Sequence, residues 1–306
     1  MMGQAFQADP LHATRWIDLP ERGTPGLVKV TGWIAMHLGR AWARVLLWPI
    51  VVYFVVTGRV ARRASREYLR RLSDHSPRGS DVLQHFYCFA ATILDRIYLL
   101  KGEFQRFDVT VHQKELLHRR IQSGEGCILL GSHLGSFEVL RAIGVTQQEF
   151  RLKVLMDITH NQKITHFFDQ LNPEIASTVI VLDRPDSLLR VKESLEAGYL
   201  IGILGDRPTS DGKTVRCDFL GTPATFPAGP VLLAATMHCP VILFFGIYRG
   251  RNRYEIFFEE FAGNITLPRE RRQQTIEEWV QKYVRRLEHY CRLAPYNWFN
   301  FYPFWD

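Results

Sequence analysis

Two stretches of the chain combine residue types that do acid–base chemistry. The first is C-I-L-L-G-S-H-L-G-S-F-E, residues 127–138, with His133 and Glu138 five positions apart. Histidine is the side chain whose ordinary pKa lies near neutrality. A carboxylate that holds one ring nitrogen leaves the other free as a base. The stretch has the orienter and base of a triad but no nucleophile of its own, so the base would act on a substrate hydroxyl or on water. Gly131 and Gly135 would let backbone approach a substrate closely. With Ser132 and Ser136 they form a candidate substrate-binding loop. The bland alternative is a histidine satisfied inside the fold. The second stretch is Y-L-I-G-I-L-G-D-R-P, residues 199–208. Asp206 and Arg207 emerge where an apolar run stops, and Pro208 prevents its continuation. Either they form a local ion pair that fixes the turn, or Arg207 faces an anionic or carbonyl group of a substrate while Asp206 orients the site.

Both stretches look like strand ends, and open parallel sheets build their sites there. From about residue 108 onward short apolar runs alternate with amphipathic ones. The runs predict strands at 109–112, 127–131, 152–156, 178–182, 200–204, 241–248 and 254–261. The amphipathic stretches predict helices at 114–122, 137–143, 161–171, 187–196, 229–237 and 271–293. This is an α/β pattern with a mixed, largely parallel sheet flanked by helices. The last two strands, joined by R-G-R-N-R, read as a hairpin. Glu138 would fall in the first turn of its helix, where the macrodipole favours a carboxylate.

The N-terminal part is different. Val45–Val56 is the one strongly apolar run, closed by Arg44 and Arg59. It is shorter than the roughly 20 residues a spanning helix needs, and Pro49 would kink it. It reads as a buried core helix or as a helix dipping into one leaflet, with Trp33, Trp42, Trp48 and Tyr53 at headgroup depth. Arg59, Arg62, Arg63, Arg66 and Arg70 follow at spacings that share a helical face, as a basic anchor on anionic lipid or a solvated face. The net charge is +7, and residues 1–80 hold twelve Lys/Arg against five Asp/Glu, so the whole surplus lies there. The loop S-D-H-S-P-R-G-S at 73–80 separates N-terminal membrane-associating helices (1–80) from a catalytic α/β domain (81–306), which opens on a helix at 81–100. In that helix Leu83, Phe86, Tyr87, Ala90, Ile93, Leu94 and Ile97 have core spacing.

Other chemistries are not supported. Five scattered cysteines contain no C-x-x-C pair, so neither a zinc site nor a disulfide framework is indicated, and reducing conditions fit. G-K-T at 212–214 lacks the first glycine of a phosphate loop, since position 207 is Arg. G-S-H-L-G is not a serine elbow, and the histidine pairs 112/118 and 160/166 lack the spacing of a zinc protease. The basic stripe abuts the greasiest run instead of stacking aromatics, which argues against nucleic acid. The ending P-Y-N-W-F-N-F-Y-P-F-W-D reads as a tail packed on the core or as a membrane-interface contact.

Taken together these residues resemble the lysophospholipid acyltransferase superfamily, in particular the branch of late lipid A acyltransferases and mycobacterial phosphatidylinositol-mannoside acyltransferases. The H-x-x-x-x-D/E motif is matched by His133 and Glu138. G-D-R-P at 205–208, D-F-L-G-T-P-A-T-F-P-A-G-P at 218–230 and L-D-R at 94–96 also look like this branch. The aromatic ending is more similar to a subgroup associated with aryl-polyene pigment synthesis. The resemblance implies a glycerolipid-acyltransferase-like fold and acyl transfer from an acyl-carrier-protein or coenzyme A thioester to a hydroxyl of a lipid or glycolipid. It implies no cofactor, no metal and no acyl-enzyme, at the cytoplasmic face of the inner membrane. On this reading His133 is the base, Glu138 orients it, and Arg207 or backbone N–H groups stabilise the oxyanion. A thioesterase or lipase using the same pair on water, and a non-enzymatic lipid-binding protein, are the alternatives.

Overall fold

The computed structural model describes residues 39–73, 75–140, 150–156, 177–182, 184–209 and 212–305. Trp33, the helix expected at 161–171 and the end of the helix expected at 137–143 lie outside these residues. Three helices come first: α1 (Arg40–Thr57), α2 (Arg59–Leu72) and α3 (Gly79–Leu100). The order continues β1 (Asp108–His112), α4 (Lys114–Ser123), β2 (Cys127–Gly131), β3 (Leu152–Met156), β4 (Val179–Val181), α5 (Ser187–Glu196) and β5 (Leu200–Leu204). Then come β6 (Thr214–Phe219), β7 (Thr222–Pro227), α6 (Gly229–Met237), β8 (Val241–Tyr248), β9 (Arg253–Ala262) and α7 (Arg272–Leu293).

Seven of the described strands form one sheet in the order β1-β9-β8-β2-β5-β3-β4. Every neighbouring pair is parallel except β8 with β9, the expected hairpin. β2 is buried along its whole length, as a central strand covered on both faces must be. The chain leaving β2 skips β5 to reach β3, whereas the chain leaving β5 skips β2 in the other direction to reach β8. The carboxyl ends of β2 and β5 therefore flank a topological switch point, where an open sheet leaves a crevice.

β6 and β7 form a separate antiparallel hairpin. Val215, Cys217 and Phe219 point into the core while Arg216 and Asp218 point out. The hairpin turns on Leu220 and Gly221, both at positive φ (55° and 75°), as a tight turn between right-twisted strands requires. It is fastened to α7, where the Gln281 amide accepts from Asp218 N–H and donates to Asp218 C=O.

α1 runs through Pro49 and packs on α3 through Ala43, Leu47 and Val51. Its other side is bare: Trp42 (66% exposed), Val45, Val52, Tyr53 and Val56 face outward, and Trp48 stacks on Tyr87 while remaining half open. Neither end is loose. At one end Arg40 and Arg44 both reach the fully buried Asp95, which also accepts from Tyr254 Oη at 2.9 Å. At the other, α2 turns back and sinks Tyr68 and Leu69 into the core shared with the sheet. On α3, Phe86, Leu94 and Ile97 are buried as the spacing predicts, but Ile93 is exposed.

These contacts revise the expected basic stripe. Arg62 Nη1 donates to Val55 C=O at 2.6 Å and Val56 C=O at 3.0 Å, so it caps the last turn of α1. Arg59, Arg63, Arg66 and Arg70 keep exposed positions at spacings of four, three and four. Those four residues, rather than the five expected, make the exposed basic ridge of α2.

Candidate active site

β2 ends at Gly131, and the next residues cross the crevice before a helix starts at Phe137. The loop is squeezed between β8 and the C-terminal segment. Gly135 has φ +68°, and a Cβ there would sit 1.8 Å from Gly246 O, so only glycine fits. Its N–H donates to Asn297 C=O at 2.7 Å, Ser136 N–H donates to Gly246 C=O at 2.7 Å, and Phe299 N–H donates to His133 C=O at 2.8 Å. Asn297 is in turn bound to both the N–H and the C=O of Tyr248 on β8. Beneath the loop, Gly131 C=O accepts from Gly205 N–H and from Tyr283 Oη on α7.

From the neighbouring strand β5, Asp206 enters this loop almost wholly buried, at 1% exposure. Its carboxylate accepts from His133 N–H at 3.0 Å, from His133 Nδ1–H at 2.9 Å and from Trp298 Nε1–H at 3.0 Å. Burial alone pushes a carboxyl pKa up, but His133, Arg207 and the Trp298 indole outweigh it and hold Asp206 down at about 2. Asp206 is thus ionised at neutral pH, which fixes the histidine tautomer: Nδ1 carries the proton and Nε2 is the acceptor. The His133 side chain stays 33% exposed. Its pKa is held below the ordinary 6.5, first by desolvation and then by the Arg207 charge, against the pull of Asp206. A neutral imidazole held at Nδ1 in a part-exposed side chain can serve as a general base at neutral pH.

The carboxylate against the ring is therefore not the expected one. Glu138 does fall in the first turn of its helix, but its Oε1 lies 2.9 Å from Arg96 Nη2 on α3. Asp206 holds the ring instead. Arg207 is half-buried beside the histidine, where its Nη2 donates to Phe299 C=O at 2.7 Å and its guanidinium lies over the Tyr302 ring. Asp206 accepts from both the backbone N–H and the ring of His133, rather than pairing only with its neighbour Arg207. Ser132 and Ser136 are buried and Pro208 is half-buried.

The sequence model of the family described as bacterial lipid A biosynthesis acyltransferase matches residues 29–306. The chain belongs to this family. Among curated proteins none matches it. Membership makes the chain a lipid acyltransferase, and the ion pairs of its L-D-R segment give that segment a physical role. In this acyltransferase Asp95 fastens α1 to the body while the adjacent Arg96 holds Glu138. The aromatic ending is not an interface tail: Trp298, Phe299, Tyr302 and Phe304 are buried and Trp298 touches the site. Sequence reasoning missed Trp298, Asn297, Tyr283 and Arg96 as residues that hold this candidate site together. The L-D-R segment contains Arg96 and the N-W-F-N ending contains Asn297 and Trp298, whereas no motif marks Tyr283.

Proposed function

We propose that this chain transfers a fatty-acyl or polyenoyl group from an acyl-carrier-protein or coenzyme A thioester to a hydroxyl of a membrane lipid or glycolipid. The single observation that carries the reading is the His133–Asp206 pair at the switch point of an acyltransferase sheet. His133 Nε2 takes the acceptor hydroxyl proton as the oxygen attacks the thioester carbonyl. The tetrahedral oxyanion collapses, the C–S bond breaks, and the imidazolium returns its proton to the leaving thiolate. Asp206 stabilises that imidazolium. Arg207, beside the ring, supplies positive charge for the oxyanion. Glu138 and Arg96 hold the loop-to-helix junction against α3. No acyl-enzyme is required, because the acceptor itself is the nucleophile.

Apolar side chains lead to the base. Phe89 is 39% exposed on α3 and packs edge-on against Phe299 and Phe301 at 5.3 Å, and Phe299 is bonded to the His133 carbonyl. This supports an acyl substrate that approaches along α3. The bare face of α1 and the exposed ridge of Arg59, Arg63, Arg66 and Arg70 support attachment to anionic lipid, at the cytoplasmic face of the inner membrane. α1 lies along α3, which is itself packed on the α/β body, and both its ends are tied to that body. We therefore read it as an in-plane helix that buries Trp42, Tyr53 and Val56 among lipids, with Trp48 at its edge.

The test is mass spectrometry of total lipid and pigment extracts with and without the gene. The expected result is a species lacking one acyl mass, restored by wild type and not by His133→Ala. A hydrolase would instead release free acid from an acyl thioester at the same rate with or without lipid acceptor.

A further inference from the structure

The C-terminal segment has no part in the proton transfers just described, yet it is built into the site. Trp298 pairs with Leu134 in an antiparallel bridge, so the tail and the catalytic loop run side by side. The indole reaches from this bridge to Asp206 Oδ2 at 3.0 Å, while Asp206 Oδ1 takes His133 Nδ1–H. The ring is fixed on all sides, edge-on to Tyr68 at 5.0 Å, Phe219 at 5.2 Å and Phe304 at 4.9 Å. Its carbonyl accepts from His85 Nε2–H at 2.8 Å, and His85 Nδ1 accepts from Ser65 Oγ–H at 2.9 Å.

We propose that Trp298 is a positioning residue for the base, its indole N–H pinning one oxygen of Asp206 so that the other faces His133 Nδ1. This rests on the proposed acyl-transfer reading. A buried carboxylate can rotate about its Cβ–Cγ bond, and a base displaced by a fraction of an ångström loses rate steeply. The indole donor also draws charge from Asp206. Without it the carboxylate is the stronger acceptor, stabilises the imidazolium more, and raises the pH at which His133 loses its proton. The other groups facing the pair stay in place: Arg207 on the same loop, Tyr283 and Cys291 from α7, and Tyr302 from the tail.

The experiment uses the full chain in its membrane fraction, an acyl thioester donor and a total lipid extract as acceptor. Trp298→Phe keeps the ring packing and removes the donor. The expected result is a fall of about tenfold or more in kcat with little change in donor KM, and an acid limb of kcat/KM moved to higher pH. If Trp298→Phe does not fold, 3-benzothienylalanine placed at position 298 keeps the indole shape without the N–H and takes its place. Loss of activity with an unmoved acid limb, or unchanged activity, overturns the proposal. Alongside it, an inactive His133→Ala with an unaffected Trp298→Phe removes this inference alone. A fully active His133→Ala removes the base reading and this one with it.

Discussion

His85 makes the fold acid-sensitive in a way that can be calculated and then abolished. It is fully buried between α2 and the tail, and its neutral form is the one that fits: Nε2–H donates to a carbonyl and Nδ1 accepts from Ser65. Burial holds its pKa down at about 4, against an ordinary 6.5. The folded pKa is the lower one, so between these values the unfolded chain binds more protons. Stability is full above pH 6.5, falls as pH drops, and stops falling near pH 4. A gap of about 2.5 units, at about 1.4 kcal/mol each, makes the total loss about 3–4 kcal/mol, of which about 2 kcal/mol is gone by pH 5. For a chain of this size that is a few degrees of Tm, roughly 2 °C per kcal/mol. His85→Gln retains one donor and one acceptor but cannot titrate. Denaturant unfolding of the detergent-solubilised protein from pH 7.5 to 4.5 should show the wild type losing about 2–3 kcal/mol more than His85→Gln. Parallel losses in the two proteins would refute the reasoning.

Three further outcomes follow from the same contacts. Because desolvation and Arg207 hold His133 below 6.5, kcat/KM should stay flat through neutral pH and fall only below 6.5; a pH–rate profile with its acid limb above 7 would contradict this. Arg63, Arg66 and Arg70 changed together to Glu should move the protein from the membrane to the soluble fraction, read by flotation with vesicles containing anionic lipid. Each arginine contributes about 1 kcal/mol at such a surface, whereas Arg62→Glu should instead lower Tm by uncapping α1. Gly135→Ala places a methyl group against Gly246 O in a backbone conformation that disfavours side chains, so it should cost more than about 2 kcal/mol in unfolding experiments and abolish transfer.

The middle of the sheet was legible because β2, β5 and β8 are short, almost unbroken apolar runs. β2, β3, β5 and β8 have the bounds expected from the residues alone. The hairpin β6–β7 was not, although Val215, Cys217 and Phe219 alternate, because its turn is Leu220–Gly221 rather than the asparagine or aspartate with glycine that marks such turns. The proposed catalytic pairing was only half legible. His133 stood out by its position after a buried strand. Its nearest carboxylate in the chain, Glu138, was a natural partner, but strand order sets Asp206, 73 residues away, against the ring. The same holds for Arg40 and Arg44. Read locally they belong to a basic collar, but a contact with Asp95, more than 50 residues on, turns them into a buried clasp. Contacts that depend on which strands and helices become neighbours have no signature at the spacing where motifs are read.

The central claim is that Asp206, not Glu138, sets the tautomer and charge of a catalytic His133. The direct measurement is the rate of acyl transfer from thioester to lipid extract by Asp206→Asn at neutral pH, with folding checked by circular dichroism. Removing the carboxylate from an orienter–base pair costs about 10⁴-fold in the serine-protease case. Here a loss of at least about 10³-fold is expected, accompanied by loss of the His133 Nδ1–H resonance in histidine-labelled protein. The resonance should persist in Glu138→Gln. Transfer by Asp206→Asn within tenfold of wild type, or loss of the resonance in Glu138→Gln alone, would contradict the account.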